Sequence, residues 1–193
     1  MFLSVKNEGG TSPCQEDQGT FKIMRSSQFQ VFSLDILKSY LDDLIEIKKQ
    51  NRNIMTEKYA RMMEFTSPEQ YKLFKTRLPE INSKSKKYIE DIIECFLKWE
   101  KDFHNKYSYL SSMVRPIISK EDSSHITSFE TYLRGELSTY SSKTIKFYRD
   151  YVLTMFYKKI NLSMKIQENI VKQYGFNSLM EANEFIKKRT SFS

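Results

Sequence analysis

Apolar residues recur every three or four positions along most of the chain, and this spacing predicts a series of α-helices. Capping and turn residues divide the series into predicted helices over residues 20–29, 34–49, 54–65, 67–78, 85–107, 128–140, 142–159, 161–174 and 178 onward. No segment shows a convincing strand pattern. The pattern therefore predicts an all-α protein, a single-domain bundle of about seven to nine helices spanning residues 1–193.

Two segments depart from the helical pattern. Residues 1–19 hold three of the five glycines, and we expect an irregular N-terminal segment packed on the bundle. Residues 108–127 predict a long internal loop. Loops of this length inside a bundle are often functional or mobile.

Charge and cysteine content restrict the class of protein. The net charge is +7, but the densest basic runs, at 84–87 and 187–189, are short and lie near predicted helix ends. This spread argues against a nucleic-acid binder, which would show a contiguous basic face and steeply salt-dependent affinity. Two cysteines make no disulfide framework, and Cys95 is expected to pack in a helix. No apolar run suits a membrane span or signal peptide, so we expect a cytoplasmic protein without membrane contact.

Two groups of charged residues lie on predicted helices. Glu57, Arg61 and Glu64 share one helical face, which is a solvated ion-pair surface unless Glu64 is buried. Glu130 and Arg134 are four residues apart and can pair, and Glu136 lies at the edge of an apolar stripe. A carboxylate in that position has either a partner or a raised pKa. Both a structural ion-pair network and an acid–base site fit this pattern.

Metal and nucleophile motifs are weak. Glu100 and His104 are four residues apart, but no second such pair exists, so we predict no metal or cofactor. Cys14 could act as a nucleophile beside a helix N-terminus, with His125 as the available loop histidine. Alternatively, Cys14 is a small buried residue that anchors the N-terminal segment.

Several longer blocks carry a family resemblance. They are Asn7-Glu8-Gly9-Gly10, Cys14-Gln15, Asp17, the run from Phe21 to Phe29, residues 56–64, Trp99, Arg115-Pro116-Ile117, residues 127–137 and Tyr174-Gly175-Phe176. In these blocks the chain resembles the bacterial family catalogued as domain of unknown function 4125. Its pattern differs at Thr11-Ser12 and at Gln18, and neither histidine falls within it.

The resemblance implies a set of polar site residues, but no reaction. They are Asn7, Glu8, Cys14, Gln15, Asp17, Arg25, Gln28, Glu57, Glu64, Arg115, Asp122, Glu130, Arg134 and Glu136. Some relatives are joined to a nucleotidyltransferase-like domain, which implies an accessory role beside such a partner.

Two hypotheses follow. In the first, a pocket binds or transforms a small polar ligand. One wall of the pocket is formed by Asn7, Glu8, Cys14, Gln15, Arg25 and Gln28, and the other by Glu64, Glu130, Arg134 and Glu136. Within it, Cys14, Glu64, Glu130 and Glu136 are the catalytic candidates. The remaining ligand-binding candidates are Asn7, Glu8, Gln15, Arg25, Gln28, Arg115 and Arg134. In the second, the protein is a non-enzymatic helical accessory module for a nucleotidyltransferase-type partner.

Overall fold

Ten α-helices occur in residues 17–123 and 125–191, the part of the chain described by the structure, a computed structural model. They are α1 (Gln18–Phe29), α2 (Leu34–Lys49), α3 (Ile54–Thr66), α4 (Pro68–Phe74), α5 (Ser83–Lys106), α6 (Ser108–Ser111), α7 (Phe129–Leu137), α8 (Ser142–Tyr157), α9 (Leu162–Gln173) and α10 (Leu179–Thr190). Two short 3₁₀ helices lie at Lys75–Arg77 and Ser119–Glu121. These residues contain no strand, so the predicted all-α class is confirmed.

Local capping chemistry sets most of the helix ends. The Ser33 hydroxyl accepts from the backbone N–H of Ile36 at the start of α2. Gly175 has a φ of 90° after α9, and the Phe176 N–H donates to the Val171 carbonyl across it. Only glycine adopts that conformation without strain, so Gly175 forms the C-terminal cap of α9.

Two predicted irregular regions are partly helical. The Asp17 side chain accepts from the Thr20 N–H, so α1 begins at Gln18 and the predicted irregular segment 1–19 is wrong at its last two residues. In the predicted loop 108–127, α6 adds a tenth helix. Asn183 of α10 accepts from the N–H groups of Tyr109 and Leu110, which stabilises that turn from a distant part of the chain.

The rest of that connection is tied to the start of α7. The Pro116 carbonyl accepts from the Phe129 N–H, and the Asp122 carboxylate accepts from the N–H of Ser128 and the hydroxyl of Thr131. These bonds satisfy donors that a helix N-terminus leaves free. The connection therefore fixes the position of α7.

Helix α5 lies in the centre of the bundle and packs on α7, α8 and α9. Its buried face is an apolar stripe at helical spacing, and this stripe shares the main core with residues of α2 and α8. Core members include Ile36, Tyr40, Ile92, Ile93, Cys95, Phe96, Trp99, Tyr148 and Val152. A smaller cluster joins the end of α5 to α9 and α10 through Phe103, Val171, Leu179 and Ala182.

The contact between α3 and α7 depends on Gly135. A Cβ atom on Gly135 would lie 2.7 Å from Met62 Cγ and 3.0 Å from the carbonyl oxygen of Lys58. Any larger residue at this position would push the two helices apart. Glycine weakens α7 as a helix, but its lack of a side chain permits α7 to pack closely on α3. This approach also brings Lys58 next to Glu136, as described below.

Replacing Gly135 with alanine should therefore lower the free energy of unfolding by about 1–3 kcal/mol, although alanine is the better helix former. Urea unfolding followed by circular dichroism measures this change. Gly19→Ala in α1 is the matched control, because its Cβ would lie 3.4 Å from the nearest atom, Asp17 Oδ1. That variant should gain up to about 1 kcal/mol. A Gly135→Ala protein as stable as the parent would contradict the packing argument.

Candidate functional site

Glu136 is the centre of a buried charge network between α1, α3 and α7. Its Oε1 accepts from Arg25 Nη1 at 2.6 Å, Gln28 Nε2 at 3.0 Å and the Tyr140 hydroxyl at 2.9 Å. Its Oε2 accepts from Lys58 Nζ at 2.8 Å. The side chains of Glu136 and Lys58 are only 4% and 3% exposed. Both carboxylate oxygens are thus committed to partners within the protein.

The electrostatics of this network favour the charged carboxylate. Burial alone would raise the pKa of Glu136, but Arg25 and Lys58 outweigh it and hold that pKa well below its ordinary value. Burial and the Glu136 charge raise the pKa of Tyr140, so its hydroxyl stays protonated and donates. Burial also raises the pKa of Tyr40, whose hydroxyl lies 3.5 Å from Arg25 Nη2, to about 12.

Glu130 and Arg134 lie in a different cluster. Arg134 pairs with Glu130 at 3.1 Å and with Glu90 of α5, and Glu130 also accepts from the Ser119 N–H. Burial would raise the pKa of Glu130, but these bonds lower it. Arg134 and Glu136 lie two positions apart, with only Gly135 between them, which turns their side chains to opposite sides of α7. They therefore do not form the single wall that we predicted.

The remaining predicted polar residues are scattered over the surface of α3 and the α6–α7 connection. Glu57 pairs with Arg52 at 2.7 Å rather than with Arg61. Glu64 is exposed, whereas an acid–base role on this helical face would require it to be buried. Arg115 lies 5.0 Å from the ring centre of Tyr132 and donates to the Thr127 carbonyl.

A cleft of about 580 Å³ opens beside the α3–α7 contact. We call it the Arg61 cleft, and its polar lining is Arg61, Glu64, Tyr71, Lys75, Thr76, Glu80, Lys86, Glu90, Arg134 and Ser138. Two of the predicted candidates, Glu64 and Arg134, thus meet there. Burial lowers the pKa of Arg61, and its Nη2 donates to the carbonyl of Pro79. Burial, with the nearby charge of Glu64, raises the pKa of Tyr71.

A family model described as "Protein of unknown function (DUF4125)" matches residues 1–184. The chain belongs to this family. Comparison with curated proteins and with solved structures gave no match.

Four predicted site residues of this DUF4125 protein, Asn7, Glu8, Cys14 and Gln15, lie outside the described residues. The hypothesis of a nucleophilic Cys14 therefore stays a prediction. In residues 17–123 and 125–191, no group of three or more His, Cys, Asp and Glu side chains is arranged to hold a metal ion. No helix within those same residues is long and apolar enough to cross a membrane.

Two members of the Glu136 network, Lys58 and Tyr140, were not predicted from the sequence, and Lys58 is the charged one. It lies three residues after Met55 and four before Met62, so it shares the buried face of α3 with them. Its Nζ also lies 3.2 Å from the ring centre of Tyr132. A lysine in the middle of an apolar helical stripe is the signal that would have revealed it, because such a charge needs a buried partner.

Proposed function

We propose that this DUF4125 protein binds a small polar ligand with an anionic group in the Arg61 cleft. The observation that carries the proposal is the guanidinium of Arg61, which lies in the cleft wall without an ion pair to any described residue. Its Nη2 donates to the Pro79 carbonyl, while its Nε is buried and has no acceptor among those residues. A carboxylate or phosphate in the cleft would compensate this charge by the bidentate contact that arginine favours.

The other cleft residues support the same ligand class. Lys75 and Lys86 add positive charge, which exceeds the negative charge of the lining residues Glu64, Glu80 and Glu90 once Arg61 and Arg134 are included. Tyr71 keeps a protonated hydroxyl that can donate to a ligand oxygen. Arg134 is already paired with Glu130 and Glu90, so it serves to hold α7 against α5. Glu64 supplies one exposed carboxylate, which suits an amine or hydroxyl on the ligand.

The Glu136 network gives this cleft its shape. Arg61 and Glu64 come from α3, whereas Arg134 and Ser138 come from α7 and its end. Lys58 and Glu136 join these two helices on the other side of their contact. Arg25, Gln28 and Glu136 are therefore positioning residues in this proposal, because their polar atoms bond one another rather than line the cleft.

Titration with inorganic phosphate tests the proposal through the Nε–Hε signals of arginine in ¹H–¹⁵N spectra. The Arg61 signal, assigned by its loss in Arg61→Gln, should shift with a saturable dependence on phosphate. Arg61→Gln should weaken binding, measured by calorimetry, at least about tenfold, because one charge-assisted contact contributes about 1.5–3 kcal/mol. Lys101→Gln, which removes an exposed charge from α5, should leave the affinity unchanged.

The accessory-module hypothesis predicts a different result. A helical module that serves only a nucleotidyltransferase-type partner has no need of a free anion site, and its Arg61 signal would not move. Equal weakening by Arg61→Gln and Lys101→Gln would likewise reject a specific site in favour of general charge attraction. Native mass measurement of the purified protein adds an independent readout, since a retained small ligand would appear as a fixed mass increment.

A further inference from the structure

The Arg61 cleft holds charges of both signs that form no ion pair with a described residue. Its lining includes three such cations, Arg61, Lys75 and Lys86. It also includes two carboxylates that are likewise unpaired among the described residues, Glu64 and Glu80. The remaining arginine and glutamate of the lining pair with each other. A simple anion would therefore compensate the cations but leave both carboxylates without a partner.

Glu64 lies close to the guanidinium that would bind the anion. It follows Arg61 by three residues on α3, so the two side chains leave neighbouring positions on one side of the helix. Burial raises the pKa of the Tyr71 hydroxyl and the charge of Glu64 raises it further, so Glu64 acts on the interior of the cleft. Glu80 directly follows Pro79, whose carbonyl accepts from Arg61 Nη2. A short ligand bound to Arg61 can therefore also reach a carboxylate.

Apolar side chains form another part of the cleft wall. They are Leu78, Ile81 and Ile89. Ile89 is buried and Ile81 packs against the main core, so both are fixed in place. Hydroxyl groups of a ligand placed against such side chains would lose hydrogen bonds to water without gaining others. The wall therefore favours a short hydrocarbon chain over a sugar as the part of the ligand that joins its charged groups.

The charge balance of the cleft distinguishes between two kinds of anionic group. Three unpaired cations against two unpaired carboxylates leave a single positive charge. A phosphate monoester carries about −1.5 to −2 charges at pH 7, so with one ammonium group the ligand has a net charge of about −1. An amino acid with one carboxylate has no net charge. The balance thus favours phosphate over carboxylate as the group that faces Arg61.

We propose that the ligand of the Arg61 cleft is an aminoalkyl phosphate, a phosphate monoester joined to a primary amine by a short hydrocarbon chain. This inference rests on the proposed function, because it takes anion binding at Arg61 as given and adds the rest of the ligand. Arg61 binds the phosphate, and Lys75 and Lys86 add to the attraction. Glu64 accepts from the ammonium group, and Glu80 supplies the second carboxylate.

Calorimetry of the full chain with matched ligand pairs, at constant ionic strength, tests this proposal. The pairs are aminoethyl and ethyl phosphate, aminopropyl and propyl phosphate, and aminopentyl and pentyl phosphate, so only the amine differs within a pair. In at least one pair the amine should tighten binding about three- to fivefold, which is the effect of one ion pair open to solvent. Amino acids of the same chain lengths should bind more weakly than the aminoalkyl phosphates.

Glu64→Gln separates a specific amine contact from a general charge effect. It should remove the advantage of the amine, while the alkyl phosphates bind as tightly as before or more tightly, because a like charge near the phosphate is gone. Glu69→Gln is the matched control, since Glu69 is exposed, pairs with Lys72 and does not line the cleft. It should preserve the advantage. Arg61→Gln should weaken the binding of both members of each pair.

The outcomes distinguish this proposal from the proposed function. The aminoalkyl phosphate would be overturned by equal affinities within every pair, by tighter binding of the amino acids, by an advantage that survives in Glu64→Gln, or by its loss in Glu69→Gln as well. Anion binding at Arg61 would stand in each of these cases. No phosphate binding by the parent, or no effect of Arg61→Gln on either member of a pair, would reject anion binding at Arg61 and the aminoalkyl phosphate with it.

Discussion

Replacing Glu136 with glutamine should lower the free energy of unfolding by about 3–5 kcal/mol, measured by urea denaturation at pH 7. The substitution leaves Arg25 and Lys58 inside the protein without a neutralising charge, and Lys58 is only 3% exposed. Glu94→Gln is the matched control, because Glu94 pairs with Lys98 on the open face of α5. It should change stability by less than about 0.5 kcal/mol. Similar losses in the two variants would contradict a special role for the Glu136 network.

The pH dependence of stability gives an independent check on Glu136. The folded protein holds the pKa of Glu136 below its ordinary value of 4.5, so the network contributes fully above that value. This contribution is lost as the pH falls below about 4.5, because the unfolded chain then binds a proton that the folded protein resists. Stability of the parent should therefore fall more steeply between pH 5 and pH 3 than stability of Glu136→Gln.

Replacing all three charged residues of the Glu136 network should lower the free energy of unfolding much less than replacing Glu136 alone. The triple variant Arg25→Met, Lys58→Met, Glu136→Leu leaves no charge at these three positions, of which Lys58 and Glu136 are buried and Arg25 is partly buried. Replacing a buried ion cluster by apolar side chains is often close to neutral, so this variant should be markedly more stable than Glu136→Gln. A triple variant less stable than Glu136→Gln would show that the polar bonds of Gln28 and Tyr140 matter more than the charges.

Replacing Glu100 with glutamine should stabilise the protein by about 3 kcal/mol at pH 8 and have little effect at pH 4. Glu100 lies in α5 at 4% exposure, and burial raises its pKa to about 7. The Ser163 hydroxyl opposes this rise only weakly, since its geometry falls short of a hydrogen bond. Thermal unfolding followed across pH 4–8 measures the difference.

The sign of this effect is opposite to that of Glu136. The folded protein keeps the proton of Glu100 up to about pH 7, whereas the unfolded chain releases it near 4.5. Stability is therefore complete below about pH 4.5, falls as the pH rises to about 7, and then levels off. Glu168→Gln, at an exposed position in α9, should leave this slope in place. If stability still falls between pH 4.5 and pH 7 in Glu100→Gln, another group causes this pH dependence.

Glu136 and Glu100 show which property of a buried carboxylate could not be predicted from the sequence. Both lie on or beside apolar helical stripes. For Glu136 the pattern predicted either a partner or a raised pKa, whereas Glu100 was considered only as a possible metal ligand with His104. Glu136 has partners because α1 and α3 bring Arg25 and Lys58 against it. Glu100 forms no ion pair with any described residue, so burial dominates. Which of the two outcomes applies is a property of neighbours that are distant along the chain.

The sequence by itself determined the helical class, most of the helix ends and the face of α5 that forms the core. These features depend on spacing and on capping contacts within a few residues, and such contacts are visible in a linear pattern. The tertiary structure alone decided how the polar residues group. It joined Arg25, Lys58 and Glu136, separated Glu136 from Arg134, and placed Arg61 in a cleft with Glu64. The physical reason is that a buried charge takes its pKa and its partners from helices that pack together, which the spacing along one helix does not record.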